Sequence, residues 1–147
     1  MKAVIQRVTR ASVRVDAQTV GSIDRGYLVL LGVESGDTRE NADKLSKKLT
    51  ALRIFEDENG KINLSIQDVG GSLLIVSQFT LCADTSHGNR PGFSEAANPE
   101  KANALYEYFS KKCREAGLPV ENGIFGAHME VELINDGPFT ILLEQGG

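Results

Sequence analysis

The sequence predicts an α+β domain in which a mainly antiparallel, barrel-like sheet carries two helices packed against it. Strand-like segments follow one another in adjacent runs, in the order ββ-α-ββ-α-ββ, rather than alternating strictly with helices. Two amphipathic segments separate these runs. The chain has 147 residues, which predicts a single domain over residues 1–147. A domain of about 150 residues buries roughly 68–70% of its unfolded surface, so it forms a core without metal or disulfides.

The strand predictions follow from apolar periodicity. KAVIQRV and SVRVD alternate, and YLVLLGVE is a continuous apolar run typical of a strand covered on both faces. RIFEDENGKINLSI predicts a hairpin closed by Asn59-Gly60, a favoured type I′ pair. GSLLIVSQFTLCA predicts another buried strand. MEVELINDGPFTILLEQ alternates over residues 129–133 and then reaches Gly137-Pro138, a pattern typical of a hairpin corner.

The two helices are predicted from their caps and apolar faces. The first spans Asp37 to Leu52, with Asp37 and Glu40 as a capping box. The second begins with Asn98 as N-cap before a Pro, and Gly117 ends it. The apolar faces are Ala42, Leu45, Leu49 and Leu52 in the first helix, and Ala102, Leu105, Phe109, Cys113 and Ala116 in the second.

The charge balance argues against a protein that clamps nucleic acid non-specifically. Such proteins use many Lys and Arg contacts to phosphate, whereas this chain has a net charge of −4 and no basic run. Its Lys47-Lys48 and Lys111-Lys112 pairs are typical of solvated helix faces. Any contact with nucleic acid is therefore expected to be small or localised.

The sequence also predicts a cytoplasmic protein without membrane contact. No stretch of about 18 uncharged apolar residues is present, and the N-terminal segment lacks the apolar block of a signal peptide. Cys82 and Cys113 are too few for a disulfide framework.

Common catalytic signatures are missing: there is no glycine-rich phosphate loop, nucleophile elbow or zinc-binding HExxH. Cys82 and His87 are five residues apart, but structural zinc needs four ligands, so a buried thiol and a loop histidine are the simpler interpretation. A Ser-His-Asp triad stays open, although nothing marks one. The polar segment 77–80 ends an apolar run. It either satisfies neighbouring backbone or lines a pocket whose N–H groups hold an oxyanion.

Three motifs carry a resemblance to a known family. The opening MKAVIQRVTRASV, the central SQFTL followed by GNRPGF, and the late NDGPFT occur in the order and spacing of D-aminoacyl-tRNA deacylases, which the chain resembles over essentially its whole length. The family usually has Val where this chain has Phe139, and a larger residue, often Tyr, where it has Cys82. Both changes are apolar, so they bear on packing or substrate preference more than on activity.

The resemblance implies a cytoplasmic homodimer that needs no cofactor or metal. It implies hydrolysis of the ester that joins a D-amino acid to the 3′ adenosine of tRNA, with the 3′ acceptor end as the part of the tRNA that is bound. The residues implied to form the catalytic pocket are Ser77, Gln78, Phe79 and Thr80.

The remaining site residues are also implied by the resemblance. Gly137 and Pro138 match a cis Gly-Pro motif that reaches into the partner subunit's pocket, and Arg7 matches the arginine that orients it. Phe125 and Met129 match positions near the terminal adenosine. A rigid wall of main-chain carbonyls would exclude an L side chain, and it would let achiral glycine pass.

The catalytic group stays open between two mechanisms. Thr80 would act as a nucleophile, or backbone N–H groups around Phe79 and Thr80 would stabilise the tetrahedral intermediate with help from the ribose 2′-OH. The second is favoured because the sequence offers no evident general base. Two other functions are alternatives: a non-catalytic dimeric barrel that binds adenosine-like ligands, and an editing domain that acts beside a synthetase.

Overall fold

Within residues 1–146, which the computed structural model describes, the chain forms eight β-strands, two α-helices and one short 3₁₀ helix. The strands are β1 (Lys2–Val15), β2 (Gln18–Ile23), β3 (Gly26–Gly32), β4 (Phe55–Glu56), β5 (Ile62–Leu64), β6 (Ser72–Ser77), β7 (Val120–Asn122) and β8 (Glu130–Glu144). The helices are α1 (Arg39–Ala51) and α2 (Pro99–Glu115), and the 3₁₀ helix covers Phe79–Cys82.

Six strands form one curved sheet around β1. β1 is antiparallel to β2, β3 and β8, whereas β6 is parallel to both β3 and β7. The two ends of the sheet meet, since a Cβ at Gly21 of β2 would lie 2.7 Å from the carbonyl oxygen of Asn122 in β7. The predicted α+β class, with a mainly antiparallel, barrel-like sheet and two helices, is confirmed. The parallel pairs were not predicted, because parallel neighbours are joined by long crossovers that leave no local signal.

Both faces of the central strands are buried, and each face belongs to a different hydrophobic cluster. In β3, Tyr27, Val29 and Leu31 join the cluster under the helices, whereas Leu28 joins the cluster inside the curved sheet. A strand buried on both faces has a continuous apolar sequence. This explains the apolar run that was predicted to be such a strand.

β1 is one long strand, although the sequence predicted two. The predicted break covers residues 9–11, of which Thr9 and Arg10 are exposed and Ala11 is buried. Against β8, Val8 pairs with Asn135 and Arg10 pairs with Ile134, so Thr9 is an extra residue. Such a β-bulge keeps the strand continuous and moves the alternate side chains that follow it to the opposite face of the sheet. The interruption in periodicity is therefore a bulge and not a loop.

Two turns differ from the prediction in their positions or types. β2 was not predicted, and the turn before it has positive φ at both Asp16 (51°) and Ala17 (65°), as a type I′ turn requires. At the predicted type I′ turn, only Gly60 has positive φ, so Asn59-Gly60 closes a hairpin of another type. There the Asp57 carboxylate accepts hydrogen bonds from the backbone on the far side of the turn.

The helices begin at local caps. In α1 the capping box joins Thr38 and Asn41, one residue later than predicted. The Asp37 carboxylate instead accepts a hydrogen bond of 2.7 Å from the amino group of Met1. α2 begins as predicted, with Asn98 as N-cap and Pro in the first turn. Among the described residues, neither helix combines the length and apolar character needed to cross a bilayer.

Candidate active site

A cavity of about 590 Å³ lies between the end of β6, the start of α2 and the segment before β8. Its lining brings together five of the predicted site residues, namely Ser77, Gln78, Phe79, Phe125 and Met129. Most other lining residues are Ala, Val or Phe, and the lining contains no Asp, Glu, Lys or Arg. The polar groups of the lining that can meet ligand charge are therefore backbone dipoles, the Ser77 hydroxyl, the Gln78 amide and His128.

The first wall of the cavity forms where the chain leaves the sheet. β6 ends at Ser77, and the following residues wind into the 3₁₀ helix instead of continuing the predicted strand. The N–H of Leu81 donates to the carbonyl of Gln78 at 3.2 Å, so the N–H groups of Phe79 and Thr80 precede the first intrahelical bond. Gln78 gives no side-chain cap. These two N–H groups are the helix donors left for a ligand oxygen.

Thr80 itself is not among the residues that line the cavity. The Gln78 side-chain amide donates a hydrogen bond to the Thr80 hydroxyl oxygen. Nearby Cys82 is buried, and burial raises the pKa of its thiol. A neutral thiol is a poor nucleophile, so Cys82 has a packing role.

Cys82 and His87, which the sequence indicated to be a buried thiol and a loop histidine, have very different environments. Cys82 is 4% exposed, whereas the His87 side chain is 90% exposed. Within residues 1–146, no three His, Cys, Asp or Glu side chains lie close enough together to hold a metal ion.

The opposite wall is the segment that links β7 to β8. It carries Phe125 and Met129, and the Phe125 ring lies 6.2 Å from the Tyr106 ring of α2. A Cβ at Gly123 would lie 2.6 Å from the Met129 sulfur, so glycine is needed for Met129 to occupy its place. The Asn122 amide donates to the Tyr106 hydroxyl at 3.0 Å, which ties this wall to α2.

Two lining residues with aromatic side chains, His128 and Phe93, were not selected from the sequence as site residues. His128 lies between the predicted residues of the second wall, and its position beside Met129 is the only signal that the sequence contains. Phe93 is the last residue of GNRPGF, and its ring packs edge-on against Phe79 with the centroids 5.0 Å apart. The motif marked the segment, but only the fold places its ring at the cavity.

Gly137 and Pro138 lie in a separate part of the chain. β8 runs continuously through them, so the interpretation as a hairpin corner is wrong. β8 is paired with β1 up to Asn135 and again from Thr140, and residues 136–139 form a four-residue excursion opposite Arg7. The peptide bond between Gly137 and Pro138 is cis, as the resemblance implies. Neither residue lines the cavity of the same chain.

Arg7 holds this excursion from beneath. It is 4% exposed, and its Nε donates to the Asp136 carbonyl at 3.1 Å while Nη1 donates to the Ile54 carbonyl at 2.6 Å. Its guanidinium carbon lies 4.0 Å from the centroid of the Phe139 ring. The Asn135 amide adds hydrogen bonds of 3.0 Å to the carbonyls of Arg7 and Phe139. Arg7 therefore contacts both ends of the Gly-Pro segment.

Comparisons with known proteins indicate the family of the chain. The family model described as D-Tyr-tRNA(Tyr) deacylase matches residues 4–144. A "D-aminoacyl-tRNA deacylase" of Geotalea daltonii is 62% identical over 144 residues, which cover 98% of this chain and 96% of the relative. One of Anaeromyxobacter dehalogenans is 60% identical and covers 98% and 97%.

Two solved structures are also similar. One described as "c-Myc DNA Unwinding Element Binding Protein" has a TM-score of 0.94 and 43% identity, and covers 100% of both chains. A "probable eukaryotic D-amino acid tRNA deacylase" has a TM-score of 0.82, covers 97% of both chains and, at 20% identity, supports the fold alone. The match over residues 4–144 and the identity to the curated relatives show that the chain belongs to the D-Tyr-tRNA(Tyr) deacylase family.

Proposed function

We propose that this protein removes D-amino acids from tRNA by hydrolysing the ester at the 3′ adenosine, with a backbone site for the oxyanion and a main-chain wall that excludes L-amino acids. Family membership makes the enzyme class plain: the chain is a D-aminoacyl-tRNA deacylase, a hydrolase of carboxylic esters. One observation carries the finer proposal. The cavity joins the polar turn after β6 to the apolar segment before β8.

The two walls suit the two halves of the substrate. Phe125 and Met129 offer an aromatic and a polarisable surface for the adenine of the terminal nucleotide. Phe79 lines the opposite wall, and its uncapped N–H, with that of the adjacent Thr80, would donate to the oxygen of the ester carbonyl as it develops negative charge. Donors of this kind typically contribute about 10²–10³-fold to the rate of acyl transfer.

Backbone catalysis suits the chemistry of the lining. The cavity offers no carboxylate and no lysine, and the Thr80 hydroxyl is hydrogen-bonded by an amide that cannot take its proton. The substrate carries its own neighbouring 2′-OH, which activates the ester. Thr80 therefore shapes the turn, and the hydrolytic water is assisted by the ribose hydroxyl.

Chirality is read by the Gly137-Pro138 segment of a second copy of the chain. D and L substrates have the same groups, and an apolar pocket distinguishes a methylene by only about 10–200-fold. A rigid wall of carbonyls excludes the L side chain and accepts hydrogen bonds from the α-amino group. Within one chain, Gly137 and Pro138 do not line the cavity, which supports a homodimer in which each subunit completes the other's site.

A deacylation assay with matched tRNA tests the proposal. Purified protein is incubated with D-tyrosyl-, L-tyrosyl- and glycyl-tRNA, and release of the amino acid is followed. We expect hydrolysis of the D form, protection of the L form, and measurable hydrolysis of glycyl-tRNA because glycine has no side chain to exclude. Intact glycyl-tRNA beside cleaved D-tyrosyl-tRNA would contradict the wall. If all three esters survive, the protein is a binding module and not an enzyme.

A further inference from the structure

We propose that the paired rings of Phe79 and Phe93 form a stacking subsite for the base of the penultimate nucleotide of the tRNA, next to the cavity that takes the terminal adenosine. Phe79 is 55% exposed and Phe93 is 36% exposed, although both are large apolar side chains that line the cavity. Their ring centroids are 5.0 Å apart with an interplanar angle of 61°. An edge-to-face pair leaves ring surface free for a third aromatic group.

Backbone hydrogen bonds fix the position of the platform that the rings of Phe79 and Phe93 form. Just before Phe93, Gly92 and Asp84 exchange a pair of backbone hydrogen bonds of 2.8 and 2.9 Å. Just after it, the N–H of Ala96 donates to the Phe93 carbonyl at 3.1 Å. On the other side, Phe79 is the first residue of the 3₁₀ helix. A platform that is rigid before binding loses little conformational entropy when a base stacks on it.

The occupant follows from continuity with the neighbouring site, and this step rests on the proposed function. If Phe125 and Met129 hold the terminal adenosine, the next nucleotide extends from the same cavity past these two rings, which line it and are partly exposed. Every base has a π-face, so stacking on the two rings does not require a particular base at the penultimate position. It also suits a chain with a net charge of −4, because stacking needs no basic surface.

The decisive experiment compares a substrate that contains the penultimate nucleotide and the rest of the tRNA with a substrate that contains only the terminal adenosine. kcat/KM is measured for D-tyrosyl-tRNA and for D-tyrosyl-adenosine with native protein, Phe93→Ala and Phe93→Tyr. We expect Phe93→Ala to lose about 5- to 20-fold more kcat/KM on the tRNA substrate than on the adenosine substrate, the lower part of the range for base–aromatic stacking. Phe93→Tyr keeps the ring and should remove that difference between the two substrates. Ile62→Ala removes a similarly exposed side chain from the β4–β5 hairpin and should change neither.

Binding gives a second readout that does not depend on hydrolysis. The probe is a CCA oligonucleotide that carries no amino acid and has 2-aminopurine in place of the penultimate base. It should lose fluorescence on binding native protein, and Phe93→Ala should abolish that quenching. This result would stand even if no tRNA ester were cleaved, so failure of the subsite and failure of the proposed function are distinguishable.

Three results would overturn the subsite. Equal losses on both substrates would mean that Phe93 shapes the adenosine cavity. Native behaviour of Phe93→Ala with both substrates and with the probe would mean that no base stacks there. A rise in the dimer dissociation constant of Phe93→Ala, with probe quenching unchanged, would mean that a second copy of the chain covers the rings.

Discussion

Arg7→Met tests whether the Gly137-Pro138 segment depends on one buried guanidinium. Methionine keeps most of the side-chain volume but removes the charge and every donor. The change removes two charge-assisted hydrogen bonds to carbonyls, at 2.6 Å to Ile54 and 3.1 Å to Asp136, each worth about 1.5–3 kcal/mol. It also removes the stacking on Phe139, worth about 0.5–2 kcal/mol. Because these contributions are not additive, we expect a loss of about 3–5 kcal/mol in the free energy of unfolding.

Urea denaturation followed by far-UV circular dichroism, at one fixed protein concentration, measures this loss. Asp136→Asn is the matched control, since it removes the ion pair with Arg7 at 3.2 Å but leaves the Asp136 carbonyl that Arg7 binds. The Asp136 carboxylate is 41% exposed, so this change should cost less than about 1 kcal/mol. Equal losses for the two variants would show that the ion pair, and not the carbonyl contacts, holds the segment.

Three further predictions concern the site and the core. Thr80→Ala should keep deacylase activity within about tenfold of native, because the hydroxyl is hydrogen-bonded by the Gln78 amide; a loss of several orders of magnitude in single-turnover assays would make Thr80 the nucleophile. Gly123→Ala should raise KM with little loss of stability, because the new Cβ lies 2.6 Å from the movable Met129 sulfur; an unchanged KM would place Met129 outside the substrate site. Burial raises the pKa of Cys113 from 9.0 to about 12. Its stabilising contribution is therefore complete below pH 9 and is lost as pH rises towards 12. Cys113→Ala should flatten this part of the stability–pH curve, and an identical slope in both proteins would refute it.

The features that the sequence predicted correctly are those with local causes. α2 shows this well, because Asn98, the following Pro and Gly117 determine its ends within a few residues of chain. The β1 bulge at Thr9 and the positive φ of Ala17 depend instead on pairing with β8 and β2. Alanine rarely adopts positive φ, so the residue type at position 17 gave no local signal that predicts the turn.

The candidate site follows the same division. The motifs identified both walls of the cavity, but nothing in the sequence says that residues 77–79 face Phe125 and Met129 across the start of α2. That juxtaposition depends on the parallel pairing of β6 with β3 and β7. The position of the Phe93 ring could not be predicted, because it depends on the bridge between Asp84 and Gly92.

The separation of the cavity from the Gly137-Pro138 segment leads to a test of cooperation between subunits. Phe79→Pro removes one proposed oxyanion donor, and Gly137→Leu displaces the segment, since a Cβ there would lie 2.9 Å from the Asn135 side-chain oxygen. Each variant alone should lose D-specific deacylation. In a heterodimer of the two, purified through separate tags, the intact cavity of one chain faces the intact segment of the other.

That heterodimer should therefore regain about half of the native activity on D-tyrosyl-tRNA while sparing the L form, because a two-fold dimer has two equivalent sites and one of them is complete. If the segment acts on the cavity of its own chain, the heterodimer contains no complete site and stays inactive. Recovery of activity thus separates the two arrangements with the same pair of substitutions. Native protein that sediments as a monomer would exclude the cross-subunit wall altogether.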